Sequence, residues 1–139
     1  MRRRNIHQAA LQLADVPGQE RRPDDGLQEI EIQSAIMRLL RRHPAISWAK
    51  RMNSGAGKLA YADGGKSRFI RFGFPGCPDI WAQLKDGGRL CCIEVKTATG
   101  TLTPEQAAFL ALVNETGGVA FVARSVDDVI THLKRRVTT

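Results

Sequence analysis

Cysteine, histidine and long apolar runs are all scarce in this chain, and each scarcity closes off a class of function. Three cysteines in 139 residues, Cys77, Cys91 and Cys92, leave an odd thiol and no C-x-x-C spacing, which argues against a disulfide framework. Adjacent Cys91 and Cys92 point to opposite faces of a strand, so the reading is buried free thiols in a reducing cytoplasm. His7, His43 and His132 are scattered, and none stands at ligand spacing from a cysteine, which sets aside a structural zinc site. No stretch is long and apolar enough to span a bilayer, and residues 1–26 are too polar for a signal-peptide core. Internal repeats and low-complexity tracts are absent. Acid is also in deficit: 14 Asp and Glu stand against 21 Lys and Arg, and the net charge of +7 favours a polyanionic partner.

What the chain does contain is an acid-acid-lysine set on two neighbouring strands. Leu90 to Lys96 has strand character with period-two side chains, so Glu94 and Lys96 share one face while Cys91, Ile93 and Val95 share the other. Upstream, Asp79-Ile80-Trp81-Ala82-Gln83-Leu84 is a second strand, and Lys85-Asp86-Gly87-Gly88-Arg89 carries the turn signals of a hairpin. Folding that hairpin brings Asp79 beside Glu94 and Lys96. A hard divalent cation such as Mg²⁺ prefers oxygen ligands, so Asp79, Glu94 and the Val95 backbone carbonyl form a candidate metal site with positions left for a phosphate and a water. Lys96 faces the same opening, where an ammonium can position the attacking water and offset charge that develops on a phosphoryl group. The residue types thus point to phosphodiester hydrolysis. An acid and a base on the wet face of any amphipathic strand give the competing structural reading.

Residues 1–26, with Arg2, Arg3, Arg4, Arg21 and Arg22, read as a basic, flexible N-terminal arm, and residues 27–136 as one domain. The spacing of Ile32, Ile36, Leu39 and Leu40 predicts a helix from about Leu27 to Arg42, with Arg38, Arg41 and Arg42 complementing the dipole at its C-terminal end. Ile46 to Met52 reads as a strand, Asn53 to Lys58 as a glycine-rich loop, and Arg68 to Phe72 as another strand. Lys50, Arg51, Lys58, Lys66, Arg68 and Arg71 form a candidate phosphate-contacting set for DNA. Residues 60–67 satisfy a relaxed A-x-x-x-x-G-K-S pattern, but the next residues are strand-like and not helical, so no nucleotide cofactor is expected. Thr103, Pro104 and Gln106 spell a capping box that opens a helix. The following strand, Val119 to Ala123, should pair in parallel with Leu90–Lys96, and Ser125 should cap a last helix.

Four ordered segments, Gly76-Cys77-Pro78-Asp79-Ile80, Ile93-Glu94-Val95-Lys96-Thr97, Gly100 to Gln106 and Gly117-Gly118-Val119-Ala120, resemble the VRR-NUC branch of the PD-(D/E)XK nucleases over about residues 29–133. The resemblance implies a restriction-endonuclease-like three-layer α/β fold, a central mixed β-sheet flanked by helices. It implies a Mg²⁺- or Mn²⁺-dependent endonuclease acting on branched or structured DNA, in the cytoplasm of a bacterium or phage-infected cell, with DNA repair and bacteriophage settings in view. It also implies a third carboxylate from the first helix, Glu29 ahead of Glu31, and a role for Gln106 at the site, which competes with its capping role for the same side chain. Cys77 departs from the pattern, and a thiol beside the metal would make activity oxidation-sensitive. A non-catalytic nucleic-acid-binding module with the same fold is the alternative. A symmetric homodimer, or a subunit silent until partnered, would suit a two-fold substrate such as a four-way junction.

Overall fold

Apolar alternation on the strands and apolar stripes on the helices dictate a sheet covered on both faces. The computed structural model describes residues 25–52, 55–59 and 68–137. The elements in chain order are α1 (Asp25–Leu40), β1 (Ile46–Arg51), β2 (Gly55–Leu59), β3 (Arg68–Phe72), β4 (Ile80–Leu84), β5 (Leu90–Val95), α2 (Pro104–Glu115), β6 (Val119–Ala123) and α3 (Val126–Val137). A four-stranded mixed sheet has the order β1-β4-β5-β6. Its first two pairings are antiparallel, and β5–β6 is parallel across the α2 crossover, as the sequence predicts.

The strand alternation sorts the core into two layers. Ile80, Ala82, Cys91, Ile93 and Val95 pack with Ile36 and Leu40 of α1 and with Val129 and Leu133 of α3. On the other face, Trp81 and Cys92 pack with Leu110 and Val113 of α2. The result is the expected three-layer α/β fold, and the even residues of β5 look toward α2. Cys91 and Cys92 are both buried, on opposite faces of the sheet.

Local signals behave as their chemistry requires. Gly87 and Gly88 both take positive φ in the β4–β5 turn, where side chains would be strained. Ser125 Oγ accepts the Asp128 N–H at the start of α3. Two predicted boundaries move. The first helix spans Asp25–Leu40 and not Leu27–Arg42, because Pro44 disfavours helical backbone at His43 and the chain turns off through Arg41 and Arg42. The stretch read as a glycine-rich loop contains β2, which pairs with β3 in a separate two-stranded ribbon. Cross-strand pairing there overrides the weak strand propensity of glycine. The expected order with a single strand between β1 and the hairpin therefore gains one strand.

Candidate active site

The β4–β5 register pairs Ile80 with Ile93, so one further step sets Asp79 opposite Glu94 at the open end of the hairpin. Val95 N–H donates to Asp79 Oδ2 at 2.8 Å, which fixes that carboxylate on the strand beside it. Lys96 Nζ lies 3.3 Å from Glu94 Oε1, and both residues are only 2% exposed. Gln106, in the first turn of α2, donates from Nε2 to the same Glu94 oxygen at 2.7 Å. Asp79, Glu94, Lys96 and Gln106 therefore form one cluster, built from two strands and a helix start on the α2 face of the sheet.

Gln106 caps its helix and reaches Glu94 with the same side chain. Its Oε1 accepts the Thr103 N–H at 2.9 Å and Thr103 Oγ1 accepts the Gln106 N–H at 3.2 Å, completing the capping box, while its Nε2 reaches Glu94. An amide has both a donor end and an acceptor end, so one side chain can cap and reach the site together. With its oxygen tied to the helix start, Gln106 offers the site a donor only.

Burial raises both carboxyls. Glu94 is pushed up to about 8, first by burial and then by the charge of Asp79, with Lys96 pulling the other way. Asp79 is also raised by burial, offset by the Val95 N–H, Lys96 and Arg51. Asp79 has a backbone donor, whereas Glu94 Oε2 is buried with no hydrogen-bond partner. Both shifts favour a proton held by the pair in the absence of metal. A buried oxygen without a donor, facing a second carboxylate, is the arrangement that a shared cation satisfies, and the all-oxygen donor set suits a hard divalent ion.

The outer ligands divide. Glu29 is partly buried with Oε1 buried and unpartnered, whereas Glu31 is exposed. Yet no group of three acid, histidine or cysteine side chains within metal-holding reach forms among the described residues, so Glu29 is not brought into a cluster with Asp79 and Glu94. Of the phosphate-contacting set, Lys50 and Arg51 are exposed at the end of β1, and Arg51 is near enough to Asp79 to favour its ionised form. Lys66 lies outside the described residues, as do residues 1–24 and the whole 60–67 pattern. Lys58, Arg68 and Arg71 fall in the β2–β3 ribbon, and their side chains lie outside the described part. Cys77 is buried, and burial raises its thiol, which weakens it as a nucleophile.

Three supporting features escaped the sequence reading. Arg124 donates from Nη1 to the carbonyls of Thr97 and Gly100 and so pins the turn that comes after Lys96. The parallel β5–β6 pairing was the available signal, since it brings the residue after Ala123 alongside Lys96. Phe74, Trp81 and Phe109 form an aromatic cluster on the same face, with Trp81 stacked on Phe109 and Phe74 tilted against Phe109 at a ring-centre distance of 4.8 Å. Gly76, with φ 84°, lets the strap before Asp79 run against the backbone of Glu105, and a Cβ there would collide with that carbonyl. Gly76→Ala should therefore cost at least about 2 kcal/mol of stability, read as a lower midpoint in urea unfolding, because it combines left-handed backbone with a collision against fixed main chain.

The comparisons with known proteins agree with this geometry. A family model described as VRR-NUC domain matches residues 19–127. No curated protein and no solved structure shows a match. The matched span holds Asp79, Glu94, Lys96 and Gln106, and the four-stranded mixed sheet with its three helices is the restriction-endonuclease-like arrangement that the family implies. With well over half its length covered, the chain belongs to the VRR-NUC domain family of the PD-(D/E)XK nuclease superfamily.

Proposed function

We propose that this nuclease-type domain is a Mg²⁺- or Mn²⁺-dependent deoxyribonuclease that cuts phosphodiester bonds within DNA, with branched or structured DNA as its preferred substrate. The observation that carries the reading is the buried, donorless Glu94 Oε2 in a carboxyl pair with Asp79, beside Lys96 Nζ. Asp79, Glu94 and the Val95 carbonyl would hold the cation, and the bound ion would supply Lewis acidity at a phosphoryl oxygen and acidify a water. Lys96 sets positive charge where the transferring phosphoryl group gathers negative charge, in a buried setting that strengthens the attraction. Gln106 holds Glu94 in orientation through its Nε2 donor. Lys50, Arg51, Lys58, Lys66, Arg68 and Arg71 would contact phosphates and set position without reading bases. The preference for branches rests on the family, and a symmetric homodimer would present two such sites to a two-fold junction.

Labelled single-stranded, duplex, flap and four-way-junction DNA, incubated with Mg²⁺, Mn²⁺ or EDTA, tests the reading. Internal cuts should appear only with metal and fall mainly at the branch points. Absence of cutting on every substrate would overturn it in favour of a non-catalytic nucleic-acid-binding module. That second reading draws support from the pair, and not triad, of acids among the described residues. Calorimetric Mn²⁺ titration separates the two, since a pure binding module has no need of metal at Asp79 and Glu94.

A further inference from the structure

We infer that the cavity at the C-terminal end of α1 is a second phosphate-binding site, which takes the backbone of a DNA segment other than the one at the carboxyl pair; this rests on the reading of the domain as a DNA-directed nuclease. The cavity measures about 590 Å³ and is lined by Arg38, Leu39, Arg41, Arg42, His43 and Pro44. Arg38, Arg41 and Arg42 are exposed, and none of them forms an ion pair with a described residue. They are not needed as caps. The Met37, Leu39 and Leu40 carbonyls already accept the N–H groups of Arg41, Arg42 and His43 at 3.1, 3.1 and 3.3 Å. His43 Nδ1 accepts the Ala45 N–H, which leaves Nε2 as the donor nitrogen of its ring. Three guanidinium forks and an imidazole donor around one concavity match the several oxygens of phosphate groups, which arginine binds in bidentate fashion.

Position gives the site its meaning. Lys85 N–H donates to Ala45 O at 2.9 Å, so the cavity adjoins the closed, turn end of the β4–β5 hairpin, whereas Asp79 and Glu94 stand at its open end. It is also on the α1 side of the sheet, while Glu94 and Lys96 look toward α2. A stiff duplex seated on the carboxyl pair cannot bend round to the far face at the scale of one domain without a cost of several kcal/mol. A branched substrate can reach both, with one arm at each.

The test compares the parent with the Arg38→Gln, Arg41→Gln, Arg42→Gln triple variant, with melting temperature as the check on folding. Fluorescence anisotropy in EDTA measures the affinity of each for a four-way junction and for one duplex arm over a range of salt. The slope of log affinity against log salt should become shallower by about 2–3 on the junction, at about 0.9 for each phosphate no longer neutralised, and by less than about 1 on the single duplex. An unchanged slope on the junction, or an equal change on both DNAs, would overturn the inference. Should the triple variant not fold, Arg41→Gln alone should flatten the junction slope by about 1. Because the titration excludes metal, a parent that never cuts DNA can still show the difference, and one that cuts without the difference loses only this second site.

Discussion

Glu94→Gln should reduce metal-dependent cutting on the order of 10³-fold, and the Mn²⁺ binding heat should vanish with it, while the fold survives. The amide keeps the volume of the carboxyl, still accepts from Gln106 Nε2, and turns a donor toward Asp79 in place of the partnerless Oε2. What is lost is the negative charge that a hard cation requires. The same residue sets a pH dependence of opposite sign in two measurements. Since Glu94 rises to about 8 in the folded chain from an ordinary 4.5, the metal-free protein holds a proton that the unfolded chain releases. That contribution to stability is complete below about pH 4.5 and is lost as pH climbs through about 8, so melting in EDTA should fall across this window. Asp79, also raised, acts in the same direction. Metal must displace the proton, so at limiting Mg²⁺ the cutting rate should rise with pH up to about 8 and level off above it. Both trends should flatten in Glu94→Gln. A variant that binds Mn²⁺ and cuts like the parent would remove Glu94 from the site.

Lys96→Met should lower the maximal cutting rate by about 10²–10³-fold, with a much smaller change in DNA affinity. The side chain is 2% exposed and close to Glu94, so its charge acts inside the cleft and not as a general surface attraction. Methionine fills the same volume, and Glu94 retains the Gln106 donor and can keep a proton, so unfolding should shift little. Lys96→Arg should not restore the rate, because a planar guanidinium does not fit a buried site shaped for a slender ammonium stem. Single-turnover rates on a cleaved substrate, with anisotropy for affinity, separate the two quantities. Cutting by Lys96→Met at the parent rate would dismiss this lysine from the chemistry.

The hairpin and the capping box were legible because their signals are local. Gly87 and Gly88 fix the turn, two-residue alternation puts Glu94 and Lys96 on one face, and Asp79 is placed by the register. Glycines at 55 and 57 concealed β2, whose extended form is supplied by its partner β3 and not by its own residues. Arg124 and Gly76 were hidden for a similar reason: each touches chain distant in sequence, and neither residue type announces its partner.

The amino-acid order by itself determined the elements other than β2, which residues share a face, and that two acids and a lysine meet at the open end of a hairpin, since turn chemistry and strand period are properties of neighbouring residues. Tertiary structure alone decided how deeply that cluster lies, that Gln106 can cap its helix and hold Glu94 together, and that one carboxyl oxygen is left without a donor. Those features depend on how far α2 sits over the sheet and on how much water the packing expels. Such quantities belong to the whole assembled core, which no local stretch of chain encodes.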